Sequence, residues 1–174
     1  NELNLKKKDI EIKTGKKINI VAISAKNINK KRQFKFDKKN FFKNPLEIFN
    51  KKKVDILFEA IGQSDGVSKK IVETALKNKT HVITPNKALI SKHGNNLAKL
   101  AEKNNVNLEF EASVAGGIPV LRSIKEGLAT NKISKVYGIL NGTSNYILSE
   151  MENSNLNFSD VLKKAQKLGY AEPG

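Results

Sequence analysis

Cysteine and tryptophan are absent from this chain, methionine occurs once, and proline only four times. Without cysteine there is no disulfide framework, no thiolate metal site and no cysteine nucleophile. No apolar run approaches the ~18 residues of a membrane-spanning helix, and no signal-peptide pattern opens the sequence. The expected placement is therefore a soluble, cytoplasmic protein with no membrane partner. Arginine is nearly missing as well: of 32 basic residues only Arg32 and Arg122 are arginine, although the net charge is +15. Nucleic-acid readers favour the arginine fork for bidentate contacts, and an aromatic content of 6% offers few stacking platforms. The lysines accompany 21 Asn and 17 Ile, so the charge reads as lysine spread over solvated faces. No nucleic acid is expected as a partner, and a basic nucleic-acid-binding module is the alternative that the charge alone raises.

Three chemical signatures are also missing. A strand followed by G-x-G-x-x-G at a helix start, the usual cradle for a dinucleotide pyrophosphate, does not occur, since Gly116-Gly117 comes too late and lacks the spacing. The two histidines, His81 and His93, have no second ligand at metal spacing, and Ser64 and Ser113 have no triad partner.

What is present is an ordered alternation. The 174 residues suffice for one domain, or a small domain and part of a second. Strands are expected over 18–25, 54–60, 81–84, 108–113 and 132–140. Helices are expected over 45–53, 67–78, 88–103, 119–129, 144–153 and 158–168. Strands apolar on both faces, each followed by a helix, predict an α/β fold with a parallel sheet covered on both sides. The alternation gives way near residue 112, which divides the chain into 1–112 and 113–174. Residue 1 is Asn, and Gly174 follows Ala171-Glu172-Pro173; neither reads as a natural terminus, and a piece of a longer chain is expected.

Four segments carry chemistry. His81-Val82-Ile83-Thr84-Pro85-Asn86-Lys87-Ala88-Leu89 places a polar cluster at the C-terminal end of a parallel strand, where open α/β sheets bind ligands. A lysine there can fix a phosphate, carboxylate or carbonyl oxygen, although spacing alone favours an ordinary loop with a solvated lysine. Phe110-Glu111-Ala112-Ser113-Val114-Ala115-Gly116-Gly117-Ile118-Pro119 reads as a Gly-rich turn, and Ile139-Leu140-Asn141-Gly142-Thr143-Ser144-Asn145-Tyr146 as a helix start capped by Thr143. Ala165-Gln166-Lys167-Leu168-Gly169-Tyr170-Ala171-Glu172 closes the set.

In this order and separation, the four segments strongly resemble homoserine dehydrogenase, from about residue 15 to 174. The resemblance implies a Rossmann-like doubly wound sheet whose first strand is missing here, followed by the start of an α+β catalytic and dimerisation domain. It implies reversible NAD(P)H-dependent reduction of L-aspartate 4-semialdehyde to L-homoserine, on the route to threonine and methionine, by a homodimer when full length. By motif, Lys87 matches the active-site lysine. Ile61, Gly62 and Gly169 match cofactor-contacting positions, and Lys26 stands where many relatives carry arginine. With Lys30, Lys31 and Arg32 close behind and no acid at that strand end, NADP is favoured over NAD. Gly142, Thr143, Tyr170 and Glu172 match the substrate pocket. Glu111, Val114, Gly116 and Ile118 match a loop holding a monovalent cation, sodium, through a carboxylate and backbone carbonyls; a hard cation suits such oxygens. Relatives continue into an acidic stretch and a lysine proton donor that these residues do not reach. Removing a general acid costs about 10²- to 10⁴-fold in rate, so residues 1–174 alone are expected to be inactive, and a non-catalytic remnant is the alternative.

Overall fold

The structure, a computed structural model, describes residues 2–32, 34, 36–139 and 141–171. The chain divides into two units, Asn1–Ser113 and Val114–Gly174.

The first unit opens with short helices α1 (Glu2–Leu5) and α2 (Lys7–Thr14), and α2 stops where Gly15 turns left-handed and donates its N–H to the Glu11 carbonyl. Strand β1 (Ile23–Ser24) pairs in parallel with β2 (Phe41–Phe42). The strand expected over 18–25 is thus only two residues long. A ladder extends no further than its partner, and β2 ends before Asn44 caps the turn Pro45–Glu47, which runs into α3 (Ile48–Lys51).

A second parallel sheet holds β3 (Ile56–Phe58), β4 (His81–Ile83) and β5 (Leu108–Glu109), in that order, linked by α4 (Val67–Lys77) and α5 (Lys87–Lys103). Leu57, Val82 and Leu108 stand side by side in register. They pack on Ile71, Val72, Ala75 and Leu76 of α4 and on Leu89, Leu97 and Ala101 of α5, which form the core. The α/β architecture expected from the alternation is present. The coverage differs from expectation: α4 and α5 line one face, while on the other Ile56 and Phe58 remain 56% and 66% exposed. The cause is topological. Both crossovers step the same way across the sheet, and right-handed crossovers that do so land on one face.

In the second unit, α6 (Val120–Arg122) continues into a π-helical turn over Ser123–Gly127. Helices α7 (Gly142–Ser154) and α8 (Phe158–Lys167) then pack through Ile147, Val161 and Ala165. The strand expected over 132–140 is not formed in the described residues 132–139; Val136, Tyr137 and Ile139 are 58%, 86% and 78% exposed. A strand needs a neighbour for its hydrogen bonds, and the described residues of this unit contain no other strand. Leu140 lies outside the described residues.

Candidate active site

In the first unit Ile61, Gly62 and Lys87 lie at the C-terminal ends of β3 and β4. Ile61 and Gly62 form the turn after β3, with Gly62 at φ +89, a conformation that favours glycine. Lys87 is the first residue of α5, capped by Asn86, whose Oδ1 accepts the Leu89 N–H at 3.1 Å. An ammonium at the start of a 17-residue helix opposes the helix dipole, so any anion or polarised oxygen placed there is favoured by both.

What joins these two positions is Glu59, a residue that motif reading passed over. It is only 2% exposed. Its Oε1 accepts the Ile61 N–H at 2.6 Å and the Ser68 hydroxyl at 2.9 Å, and its Oε2 accepts the Thr84 hydroxyl at 2.6 Å. Thr84 in turn accepts the Asn86 N–H at 3.0 Å. The Asn86 amide donates to the Gln63 carbonyl and to the Ser68 hydroxyl, both at 2.9 Å. The signal was in the strand period: residues two apart share a face, so the inward side chain Leu57 is followed by an inward carboxylate. The neighbouring Asp65 accepts from Lys92 at 2.7 Å and from Ser64 at 2.8 Å, and lies 2.9 Å from His93 Nε2. These bonds hold its carboxyl well below the usual range. The other histidine, His81, accepts the Asn107 N–H through Nδ1 at 3.0 Å.

Lys26 is exposed, two residues beyond β1. Arg32, grouped with it in the sequence, is committed to its own loop. Its guanidinium donates to the carbonyls of Asn27, Ile28 and Lys30 at 2.7, 2.9 and 2.9 Å and lies over Phe36 and Phe41. The cations presented outward there are Lys26, Lys30 and Lys31. A cleft of about 280 Å³ bordered by Ile18, Ile20, Phe34 and Phe36 includes none of the candidate residues.

Glu111 lies in a 3₁₀ turn, Glu111–Ser113, at the end of the first unit, while Val114, Gly116 and Ile118 open the second. There Ala115 and Gly117 take φ +49 and +84, and the Ile118 N–H donates to the Ala115 carbonyl at 2.9 Å. Among the described residues no cluster of three His, Cys, Asp or Glu could hold a metal.

In the second unit the cap of α7 is Asn141, whose Oδ1 accepts the Ser144 N–H at 2.8 Å. Thr143, expected to be the cap, is instead inside the first turn. That leaves its hydroxyl to donate to the Tyr170 carbonyl. The Tyr146 and Tyr170 rings lie 4.7 Å apart, so Gly142, Thr143 and Tyr170 form one group. Gly169 ends α8 at φ +80, which lets Tyr170 N–H reach back to the Ala165 carbonyl at 2.9 Å. Glu172 lies outside the described residues.

Comparison with known proteins agrees along the chain. The family model "Homoserine dehydrogenase, NAD binding domain" matches residues 4–111, and the model "Homoserine dehydrogenase" matches residues 119–174. The homoserine dehydrogenase of Neisseria gonorrhoeae is 45% identical over 164 residues, covering 94% of this chain and 37% of that protein. That of Bacillus subtilis is 39% identical over 155 residues, covering 89% and 36%. A crystal structure of a homoserine dehydrogenase from Thiobacillus denitrificans superposes with a TM-score of 0.81 at 37% identity, covering 99% of this chain and 40% of that one. A hyperthermophilic archaeal homoserine dehydrogenase in complex with NADPH gives 0.66 at 25% identity, covering 97% and 47%. The chain spans little more than a third of the length of the two sequence relatives.

Proposed function

The chain belongs to the homoserine dehydrogenase family, and from that premise we propose that the protein it comes from reduces L-aspartate 4-semialdehyde to L-homoserine with NADPH. The first unit is then part of the nucleotide-binding domain and the second the beginning of the catalytic domain. The observation that carries this reading is the tie between the glycine turn after β3 and the lysine at the head of α5, through Glu59, Thr84 and Asn86.

The residues fit a dinucleotide at the strand ends: Gly62 at φ +89 has no heavy atom within 4 Å of where a Cβ would stand, so the turn's surface is open. When bound, the nicotinamide supplies the hydride for the aldehyde carbon. Ile61 and Gly62 would provide backbone contacts to the cofactor, and Lys26, with Lys30 and Lys31, would offer cations to a ribose phosphate, which favours NADP over NAD. Lys87 holds its ammonium where negative charge develops on the carbonyl oxygen, and the start of α5 adds its dipole. By the resemblance, Gly142, Thr143, Tyr170 and Glu172 would bind the amino-acid end of the substrate, and Gly169 would contact the cofactor. By the resemblance, Glu111 and the backbone carbonyls of Val114, Gly116 and Ile118 are the oxygen donors for a sodium ion. The proton for the product oxygen comes, by family resemblance, from a lysine beyond residue 174. The complete protein is a homodimer in which segment 132–140 finds a strand to pair with.

The test is NADPH oxidation by the protein of the complete reading frame on addition of L-aspartate 4-semialdehyde. Turnover that falls about 10²- to 10³-fold in Lys87→Ala, the usual cost of one electrostatic stabiliser, supports the reading. A complete, folded protein that leaves the semialdehyde unreduced overturns it and leaves the non-catalytic remnant.

A further inference from the structure

We infer that Glu59 is a positioning residue for the nicotinamide end of this site, setting the Ile61–Gly62 turn and the start of α5 in fixed register. The inference rests on the proposed dehydrogenase reading. Its basis is the direction of the short hydrogen bonds around the carboxylate, to which the Asn86 amide adds longer ones at 3.5 and 3.4 Å. Ser68 and Thr84 each have one hydroxyl proton, and both give it to Glu59, at 2.9 and 2.6 Å. Their lone pairs are thereby left to accept from the Asn86 side chain at 2.9 Å and the Asn86 N–H at 3.0 Å. The second proton of the Asn86 amide goes to the Gln63 carbonyl at 2.9 Å, while the Ile61 N–H goes directly to Glu59 at 2.6 Å. The turn is therefore held at both ends, Ile61 by the carboxylate and Gln63 by the residue that caps the helix of Lys87.

The donors so named are uncharged, and the carboxylate is buried. Burying an acid on neutral donors is costlier than burying an apolar side chain of the same size. Two features offset that cost. Ser68 lies in the first turn of α4 and Asn86 caps α5, so the carboxylate sits at two helix N-termini, where a negative charge is favoured. No neutral residue reproduces the pattern. Glutamine has the same shape, but its NH₂ confronts a hydroxyl or backbone N–H that also needs an acceptor. Releasing Thr84 then releases the Asn86 N–H, and the slack passes directly to Lys87.

The experiment compares Glu59→Gln, Thr84→Val and Thr84→Ser with the wild type in the protein of the complete reading frame. Three readouts are taken: NADPH affinity by fluorescence titration, kcat and KM for each substrate, and amide hydrogen exchange over residues 60–66. Glu59→Gln is expected to weaken NADPH binding and lower kcat, together by about tenfold to a hundredfold, as a displacement near 1 Å does. Exchange at Ile61–Gln63 should accelerate, while KM for the semialdehyde, whose amino-acid end is assigned to residues of the second unit, moves little. Thr84→Val should show part of the same loss and Thr84→Ser restore most of it. Wild-type NADPH affinity and exchange in a folded Glu59→Gln, or losses that vanish once the assay temperature is lowered to match unfolding midpoints, would overturn the inference. If Glu59→Gln does not fold, the contrast between Thr84→Val and Thr84→Ser decides by the same criteria. Failure of the function reading is separate, because it shows as an inactive wild type.

Discussion

Asp65 gathers three side chains, one from its own turn and two from α5, accepting from Ser64 and Lys92 and pairing with His93. Its carboxyl is held below the ordinary value of 3.8, first by the Lys92 bond, then by Ser64 and His93. A carboxyl whose folded value is depressed contributes stability above its unfolded value and loses it as pH falls toward the folded one. Asp65→Asn is therefore expected to unfold at a lower temperature than wild type at pH 7, with the difference closing below about pH 4. Because the side chain is half exposed (50%), the effect is small and shrinks in salt. A melting-temperature gap that is flat with pH would show that the ionised carboxylate adds nothing. Arg32 makes a different point at the same scale. Its charge was legible in the sequence as one more cation near a ribose, but three carbonyls and two rings absorb the guanidinium. A residue's type gives its repertoire, and its neighbours decide which part is used.

Among the elements, the caps follow one rule. Asn44, Asn86, Asn141 and Asn157 each open a helical segment with Oδ1 on a backbone N–H two or three residues ahead. Four of the 21 asparagines thus have a defined structural task. Asn157 is the strongest case, since its amide also donates to Asp160 at 2.8 Å while accepting the Asp160 N–H at 3.0 Å. Asn157→Ala is expected to destabilise by about 1 kcal/mol and to reduce helical circular dichroism from the α8 end. A loss below a few tenths of a kcal/mol would mean that packing of Val161 and Ala165 alone fixes α8. The same scale shows what could be read in advance. Helices α4, α5 and α8 came through with nearly their expected bounds, because their apolar spacing is sustained over several turns and ends in packed cores. Segments 18–25 and 132–140 look equally apolar, but strand length depends on a neighbour that local pattern does not supply. Glu59 was legible only through strand alternation, which motif matching does not use.

At the scale of the molecule, the strands of the first unit fall into two sheets, β1–β2 and β3–β4–β5, so β1 and β3 each have one edge without a neighbour among the described residues. In a doubly wound sheet those edges meet across a central strand, and the phosphate-binding glycine turn follows that strand. Neither G-x-G-x-x-G nor an equivalent occurs in the 174 residues. On the proposed reading, the strand ends carry the nicotinamide end of a dinucleotide site without the turn that grips the pyrophosphate. Hydrogen bonds to a charged group contribute about 1.5–3 kcal/mol each, so losing only two backbone donors to pyrophosphate weakens binding by roughly a hundredfold or more. Residues 1–174 produced alone are therefore expected to bind NADPH at least about a hundredfold more weakly than the protein of the complete reading frame. What binding remains should fall steeply with salt, because exposed lysines and a net charge of +15 supply most of it. Parallel fluorescence titrations at low and moderate ionic strength measure both quantities. If the 174 residues bound NADPH as tightly as the complete protein and without salt dependence, the split between a nicotinamide end and a separate phosphate grip would be wrong.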